Sequence, residues 1–230
     1  MRRRAVFAAV LFDLDGTLID SAPDLAGAAN DMRLARGLSA LPVEHLRPMV
    51  GSGARGMVRV AFDLGPEDDG YDALREEFLA RYEARSTRET HVFPGMAPLL
   101  DALDAARLPW GIVTNKIERY TLPLVRHLGL AQRAAALVCG DTTAHAKPHP
   151  APLLEAARRL AVAPAACVYV GDDLRDIVAG RAAGMGTVAA AWGYLGAGEA
   201  IERWQADAVI RHPAELPALF GGPLNGAEVA

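Results

Sequence analysis

The chain has 230 residues, 51% hydrophobic and 23% charged, which suits one large domain or a core with a smaller attachment and excludes wholesale disorder. Its 24 Lys and Arg against 28 Asp and Glu give a formal charge of −4, which argues against a nucleic-acid surface built on phosphate neutralisation. Cys139 and Cys167 form neither a CxxC pair nor a disulfide framework and fit a reduced, cytoplasmic setting.

Met1-Arg2-Arg3-Arg4 and the apolar run 5–12 have the texture of a signal peptide. The run stops at Asp13 and Asp15 and falls far short of the ~20 residues of a membrane span, so it reads as a buried first strand behind an exposed basic tail. Further short apolar runs at 110–113, 135–138, 167–170, 187–191 and 208–210 have the continuous hydrophobicity of strands buried on both faces. Helical patterns at 97–106, 117–128, 150–160 and 174–183 separate them. That alternation predicts an α/β fold, a Rossmann-like doubly wound parallel sheet.

Between the first strand and Phe93 the pattern is helical only. Ser21-Ala22-Pro23-Asp24 carries an N-cap, an early Pro and a capping-box acid. Leu25, Ala28, Ala29, Met32 and Ala35 follow at helical spacing, with Gly37 as a stop. Met57, Val60, Ala61 and Leu64 form a second stripe, and Tyr71, Leu74, Phe78 and Tyr82 a third. A strandless block of about seventy residues inside one sheet predicts an inserted helical cap, residues 20–90, on a core of 1–19 and 91–230. Its linkers fall near Asp20 and near 90–94, and the Gly-rich tail 221–230 is expected to fray.

Candidate chemistry collects at the strand ends. Phe12-Asp13-Leu14-Asp15-Gly16-Thr17-Leu18 closes the first strand, and side chains two apart in an extended segment point the same way. Paired carboxylates invite a hard cation such as Mg²⁺, although Asp-Gly is also an ordinary turn pair. Thr114, Asn115 and Lys116 follow the second strand at a helix start, as an anion cradle or an ordinary N-cap. Lys147 lies between Ala146 and Pro148 in a segment that two prolines stiffen, either held at a fixed point or solvated. Asp172, Asp173 and Asp176 open a helix, where acids also balance the dipole.

Taken together, Asp13-x-Asp15-x-Thr17, the strand-end Thr114, Lys147-Pro148 and Gly171-Asp172-x-x-x-Asp176 resemble the haloacid dehalogenase-like hydrolase superfamily over nearly the whole chain. Within it, the sequence is similar to bacterial phosphoglycolate phosphatases and to N-acetylmuramic acid 6-phosphate phosphatases. The resemblance implies an Mg²⁺-dependent phosphatase acting on a small phosphorylated metabolite through an aspartyl-phosphate. It makes Asp13 the nucleophile and Asp15 the acid–base group. Asp13, the Asp15 carbonyl and Asp172 would be metal ligands; Thr114, the Asn115 backbone and Lys147 would hold the phosphoryl oxygens. Asp176 would orient Lys147, Asp173 would reach a metal-bound water, and Thr17 and Lys116 would complete the motifs.

Gly51-Ser52-Gly53-Ala54-Arg55-Gly56 matches a dinucleotide pattern but lacks the preceding strand, so it reads as a helix start whose N–H groups, with Arg55, face a distal substrate anion. Pro148 denies His145 and His149 a shared helical face for zinc. Residues 20–90 contain no Lys, which counts against a phosphonatase; Asp15 and the metal-ligating acids count against a dehalogenase. A sugar phosphomutase of the same superfamily and a non-catalytic binding protein remain as alternatives. No membrane partner is expected, and the sequence leaves the oligomeric state open.

Overall fold

The computed structural model describes residues 7–196 and 198–220. The basic stretch 1–4, the first two residues of the predicted strand and the tail 221–230 lie outside the described residues.

Strand β1 (Ala9–Phe12) leads into a short strand β2 (Ile19–Asp20) and four helices, α1 (Ala22–Leu34), α2 (Val43–Leu46), α3 (Gly53–Phe62) and α4 (Tyr71–Glu83). Strand β3 (His91–Val92) returns the chain to α5 (Met96–Ala105), β4 (Trp110–Val113), α6 (Glu118–His127), β5 (Ala136–Val138) and α7 (Ala151–Leu160). Strand β6 (Cys167–Gly171), α8 (Leu174–Ala182), β7 (Gly186–Ala190), β8 (Ala208–Ile210) and α9 (Leu216–Leu219) complete it. Six strands form one sheet in the order β5-β4-β1-β6-β7-β8, every pair parallel.

Both faces of the sheet are covered, which is why its strands read as unbroken apolar runs. Val10 and Phe12 face the side packed by Leu99, Leu103, Leu124 and Val125 of α5 and α6. Ala9 and Leu11 face Leu153, Ala156 and Ala179 of α7 and α8. The first core runs on through Leu14, Leu18 and Ile19 into Leu25, Met32, Met57 and Phe78, so helices α1, α3 and α4 share it with the sheet. No described helix is long and apolar enough to cross a membrane.

Two local expectations are corrected. The helical block does not begin and end on bare linkers: β2 and β3 pair antiparallel as a ribbon beneath it, with Ile19 opposite Val92 and Asp20 opposite His91. Two residues per strand are too few to leave a period-2 pattern. The capping box at Ser21 is also absent, because both members have other partners. Ser21 Oγ donates to Asp15 Oδ1, and Asp24 Oδ2 accepts the Glu89 and Thr90 N–H groups and the Thr90 hydroxyl. The residues chosen for a local cap instead tie the helix to the site and to the returning segment.

Candidate active site

The strand order reverses beside β1: the chain proceeds from β1 to β4 and β5 on one side, then crosses to β6 and β7 on the other. A crevice opens beyond the carboxyl ends of β1 and β6, the place where open α/β sheets bind ligands. Asp13 follows β1 and continues its ladder, its N–H donating to Val170 O at 2.9 Å; Asp172 follows β6.

Lys147 reaches this crevice from the loop after β5. Only 5% exposed, it places Nζ 2.8 Å from Asp13 Oδ1, 2.8 Å from Asp176 Oδ1 and 2.8 Å from the Tyr169 hydroxyl. Burial alone would lower its pKa, but Asp13 and Asp176 outweigh that and hold it at about 12. Asp176 therefore orients Lys147. The Asn115 side chain fixes the same lysine by its backbone, donating Nδ2 to Lys147 O at 3.0 Å and accepting Lys147 N at 2.9 Å. The Asn115 side-chain amide thus serves Lys147, apart from the backbone N–H expected to meet the phosphate. The Thr114 hydroxyl, buried at the end of β4, accepts the Lys116 N–H at 3.1 Å.

Asp172 is held between glycines. A Cβ on Gly16, whose φ is +89°, would overlap Asp172 Oδ2, and one on Gly193 would lie 2.5 Å from Asp172 Cγ and Oδ2. Thr17 Oγ1 donates to Asp172 Oδ1 at 2.9 Å and the Tyr194 N–H to Oδ2 at 2.8 Å. One oxygen each of Asp13, Asp172 and Asp176 lies within 4.8 Å of the others. Both Asp176 oxygens are engaged, Oδ1 by Lys147 and Tyr169 and Oδ2 by the Asp173 N–H. Asp13 and Asp172 are thus the pair suited to a cation. Burial, against the pull of Lys147 and with the repulsion of Asp176 and Asp15, pushes Asp13 up to about 7, and burial with the repulsion of Asp13 and Asp176 pushes Asp172 well above the carboxylate range. Two buried carboxylates facing each other fit a hard divalent ion, which would let both ionise.

Asp15 is a second, separate pair. Lys116 Nζ stands 2.8 Å from both of its oxygens, and the Tyr82 ring of α4 covers the ammonium at 5.1 Å. Asp173 corrects the expected water contact. Its Oδ1 accepts the Arg175 N–H and caps α8, and both oxygens take the Arg175 guanidinium at 2.8 Å. Burial would raise the Asp173 pKa, but the Arg175 hydrogen bonds lower it. Arg175 Nη2 also donates to Gly51 O at 2.6 Å, joining α8 to the turn before α3.

These groups share a cavity of about 540 Å³ with Gly53, Arg55, Arg75 and Phe78 from the helical block. Gly53 and Arg55, the cap residues expected from the sequence to meet a distal anion, line it. Arg75 was not predicted; it lies at i, i+3, i+4, i+7 spacing with Phe78, Leu79 and Tyr82 on α4, beside a stripe whose Phe78 and Tyr82 read from sequence as core.

Comparison with known proteins agrees with this geometry. A family model described as haloacid dehalogenase-like hydrolase matches residues 10–190. The chain is 49% identical over 218 residues to a phosphoglycolate phosphatase of Xanthomonas campestris, covering 94% of this chain and 98% of the relative. It is 44% identical over 218 residues to an N-acetylmuramic acid 6-phosphate phosphatase of Pseudomonas putida, covering 95% and 98%. A crystal structure described as a predicted phosphoglycolate phosphatase from Haemophilus somnus superposes with a TM-score of 0.80 at 26% identity, covering 91% of this chain and 96% of that one.

Proposed function

The chain belongs to the haloacid dehalogenase-like hydrolase family, and on that premise we propose that it hydrolyses a small anionic phosphomonoester. Phosphoglycolate is the first substrate and N-acetylmuramic acid 6-phosphate the second, following the two kinds of similar relative. The observation that carries the reading is the meeting of Asp13 and Asp172, beyond the adjacent strands β1 and β6, with Lys147 from the loop after β5.

Asp13 Oδ attacks phosphorus, and the bond from phosphorus to the ester oxygen breaks. Asp15 gives its proton to the leaving alcohol. In the second half Asp15 takes a proton from water, whose oxygen attacks the aspartyl-phosphate. The bond to Asp13 then breaks, releasing inorganic phosphate and restoring the carboxylate. Lys147 and Thr114 hold the phosphoryl oxygens, and Asp176 and Asn115 hold Lys147 in place. Mg²⁺, held by Asp13, Asp172 and the Asp15 carbonyl, would supply Lewis-acid neutralisation of the repulsion between carboxylate and phosphate. Positioning and charge carry most of such a transfer.

In this reading residues 20–90 are a lid whose Gly53 and Arg55 meet the distal anion of the substrate, and 1–19 with 91–230 are the catalytic core. A cytoplasmic location agrees with two buried free cysteines. The test is phosphate release from a panel containing phosphoglycolate, N-acetylmuramic acid 6-phosphate and hexose phosphates, with and without EDTA, for the wild type and Asp13→Asn. Turnover surviving in Asp13→Asn with the fold intact refutes the nucleophile; labelled phosphate retained on a sugar would favour a mutase.

A further inference from the structure

Each carboxylate of the first motif has its own lysine: Lys147 meets Asp13, and Lys116 meets Asp15. The phosphoryl-transfer steps leave the second pairing unexplained. Resting on the phosphatase reading, we infer that Lys116 is a positioning residue which fixes the Asp15 carboxylate and acts on the reaction only through it.

The stem of Lys116 is tied on both sides. Its N–H donates to Thr114 Oγ1 at 3.1 Å, and its carbonyl accepts Gly140 N at 2.9 Å and Thr121 Oγ1 at 3.1 Å. A lysine is usually a mobile point charge on a four-carbon stem. Here the backbone is clamped and the side chain is 11% exposed, so Nζ is held in place. It donates to both Asp15 oxygens at 2.8 Å, and Ser21 Oγ is a second donor at Oδ1. Three hydrogen bonds on two oxygens leave that carboxylate one orientation.

The cover comes from the helical block. Tyr82 lays its ring over the ammonium, stacks on Phe78 at 6.3 Å and leans on Tyr120 of α6 at 6.1 Å. Its hydroxyl is buried, and its ring face lies over the Lys116 ammonium. Tyr82 of α4 therefore covers one side of the Asp15 pair, which makes the orientation of the acid–base group depend on the helical block as well as the core.

The test uses two substrates that differ in their need for a proton. An alkyl phosphomonoester must leave as an alcohol, whereas p-nitrophenyl phosphate leaves as a stable phenolate. Lys116→Met should lower the single-turnover rate of leaving-group release, which precedes the water step common to both esters, by about 10²-fold on the alkyl ester, with the alkyl-to-aryl ratio of that rate falling at least tenfold. In an Asp15→Asn background the same substitution should change that rate on the alkyl ester less than threefold, because the residue it works through is gone. Equal losses of the release rate on both substrates, or a full loss in the Asp15→Asn background, overturn the proposal. Lys116→Gln carries the same test if the Met variant shows no cooperative melt. A wild type that releases phosphate from neither ester refutes the phosphatase reading itself; the variant outcomes refute only the role of Lys116.

Discussion

Gly193→Ala isolates the packing that aims Asp172. The position follows β7 in Trp192-Gly193-Tyr194, and its Tyr194 N–H donates to Asp172 Oδ2 at 2.8 Å. An added Cβ would lie 2.5 Å from both Cγ and Oδ2 of Asp172, well inside van der Waals contact. The neighbours of Asp172 cannot yield easily: Thr17 Oγ1 holds the other oxygen, and the residue is 3% exposed. The carboxylate must rotate, releasing the Tyr194 N–H. A hydrogen bond to a charged acceptor is worth about 1.5–3 kcal/mol, and overpacking adds about 1–3. A net loss of about 3 kcal/mol should lower Tm by roughly 6–12 °C in a chain of this size. The sharper readout is the metal. Ion at about 100 times Kd stabilises a folded site by about 2.7 kcal/mol, so wild type should melt several degrees higher with saturating Mg²⁺ than with EDTA. Gly193→Ala should lose that increment. Circular dichroism melts of both proteins, with and without Mg²⁺, measure it. An alanine variant that keeps the full Mg²⁺ increment would show that Asp172 is not a ligand or is not aimed by this glycine.

Asp176→Asn removes a buried anionic partner of Lys147 and should cost about 3 kcal/mol, read as a fall in urea midpoint at constant m; kcat should fall as well, because Lys147 is then drawn onto Asp13. Burial raises Asp13 to about 7 from 3.8, so the metal-free folded state holds a proton that the unfolded chain has lost between those values. Its contribution is present at low pH and is lost as pH rises through about 7. The Tm gap between Mg²⁺ and EDTA should accordingly widen from about pH 5 to pH 8, and a gap independent of pH would contradict the shared-cation site. Arg175→Ala frees Gly51 O from its 2.6 Å bond and loosens the turn before Gly53 and Arg55. The loss of a charge-assisted hydrogen bond predicts a roughly tenfold rise in KM on the natural substrate, and unchanged steady-state kinetics would mean the turn holds itself.

The sheet was legible because a strand buried on both faces needs continuous apolar residues: 110–113 and 208–210 are strands at those bounds, and β5, β6 and β7 end within a residue of the predicted runs. The acids and Lys147 were legible because a parallel sheet brings the residues after each strand to one edge. The supports were not. Tyr194 reaches Asp172 through its backbone N–H, which any residue would offer, and Gly193 acts by having no side chain. Asp173 has the spacing of a functional acid, but Arg175 two residues on decides its partner, and spacing alone does not rank the two. Ser21 and Asp24 have the pattern of a local cap, yet stronger partners lie far along the chain in Glu89 and Thr90 or across the site in Asp15. Tyr82 falls in an apolar helical stripe, so periodicity assigns it to packing, and Arg75 beside that stripe carries no spacing signal of its own.

The electrostatics of the sheet edge explain why so many acids can sit together. Asp13, Asp15, Asp172, Asp173 and Asp176 line one cavity with Lys116, Lys147 and Arg175. Lys116 is bound to Asp15, Arg175 to Asp173, and Lys147 is shared by Asp13 and Asp176, which leaves Asp172 with no cation among these groups. Five carboxylates and three cations leave two negative charges, the charge that one divalent ion cancels. Only with that balance can a dianionic phosphate approach Asp13 without facing a net negative wall. Arg55 and Arg75 line the same cavity from the helices. In the proposed phosphatase the sheet edge sets the reaction through charge neutrality, and these arginines would meet the remainder of the substrate. Substitution of Arg55 or Arg75 should then shift preference among phosphomonoesters while leaving the Mg²⁺ increment in Tm intact, whereas a loss of that increment would place those arginines in the charge balance of the sheet edge.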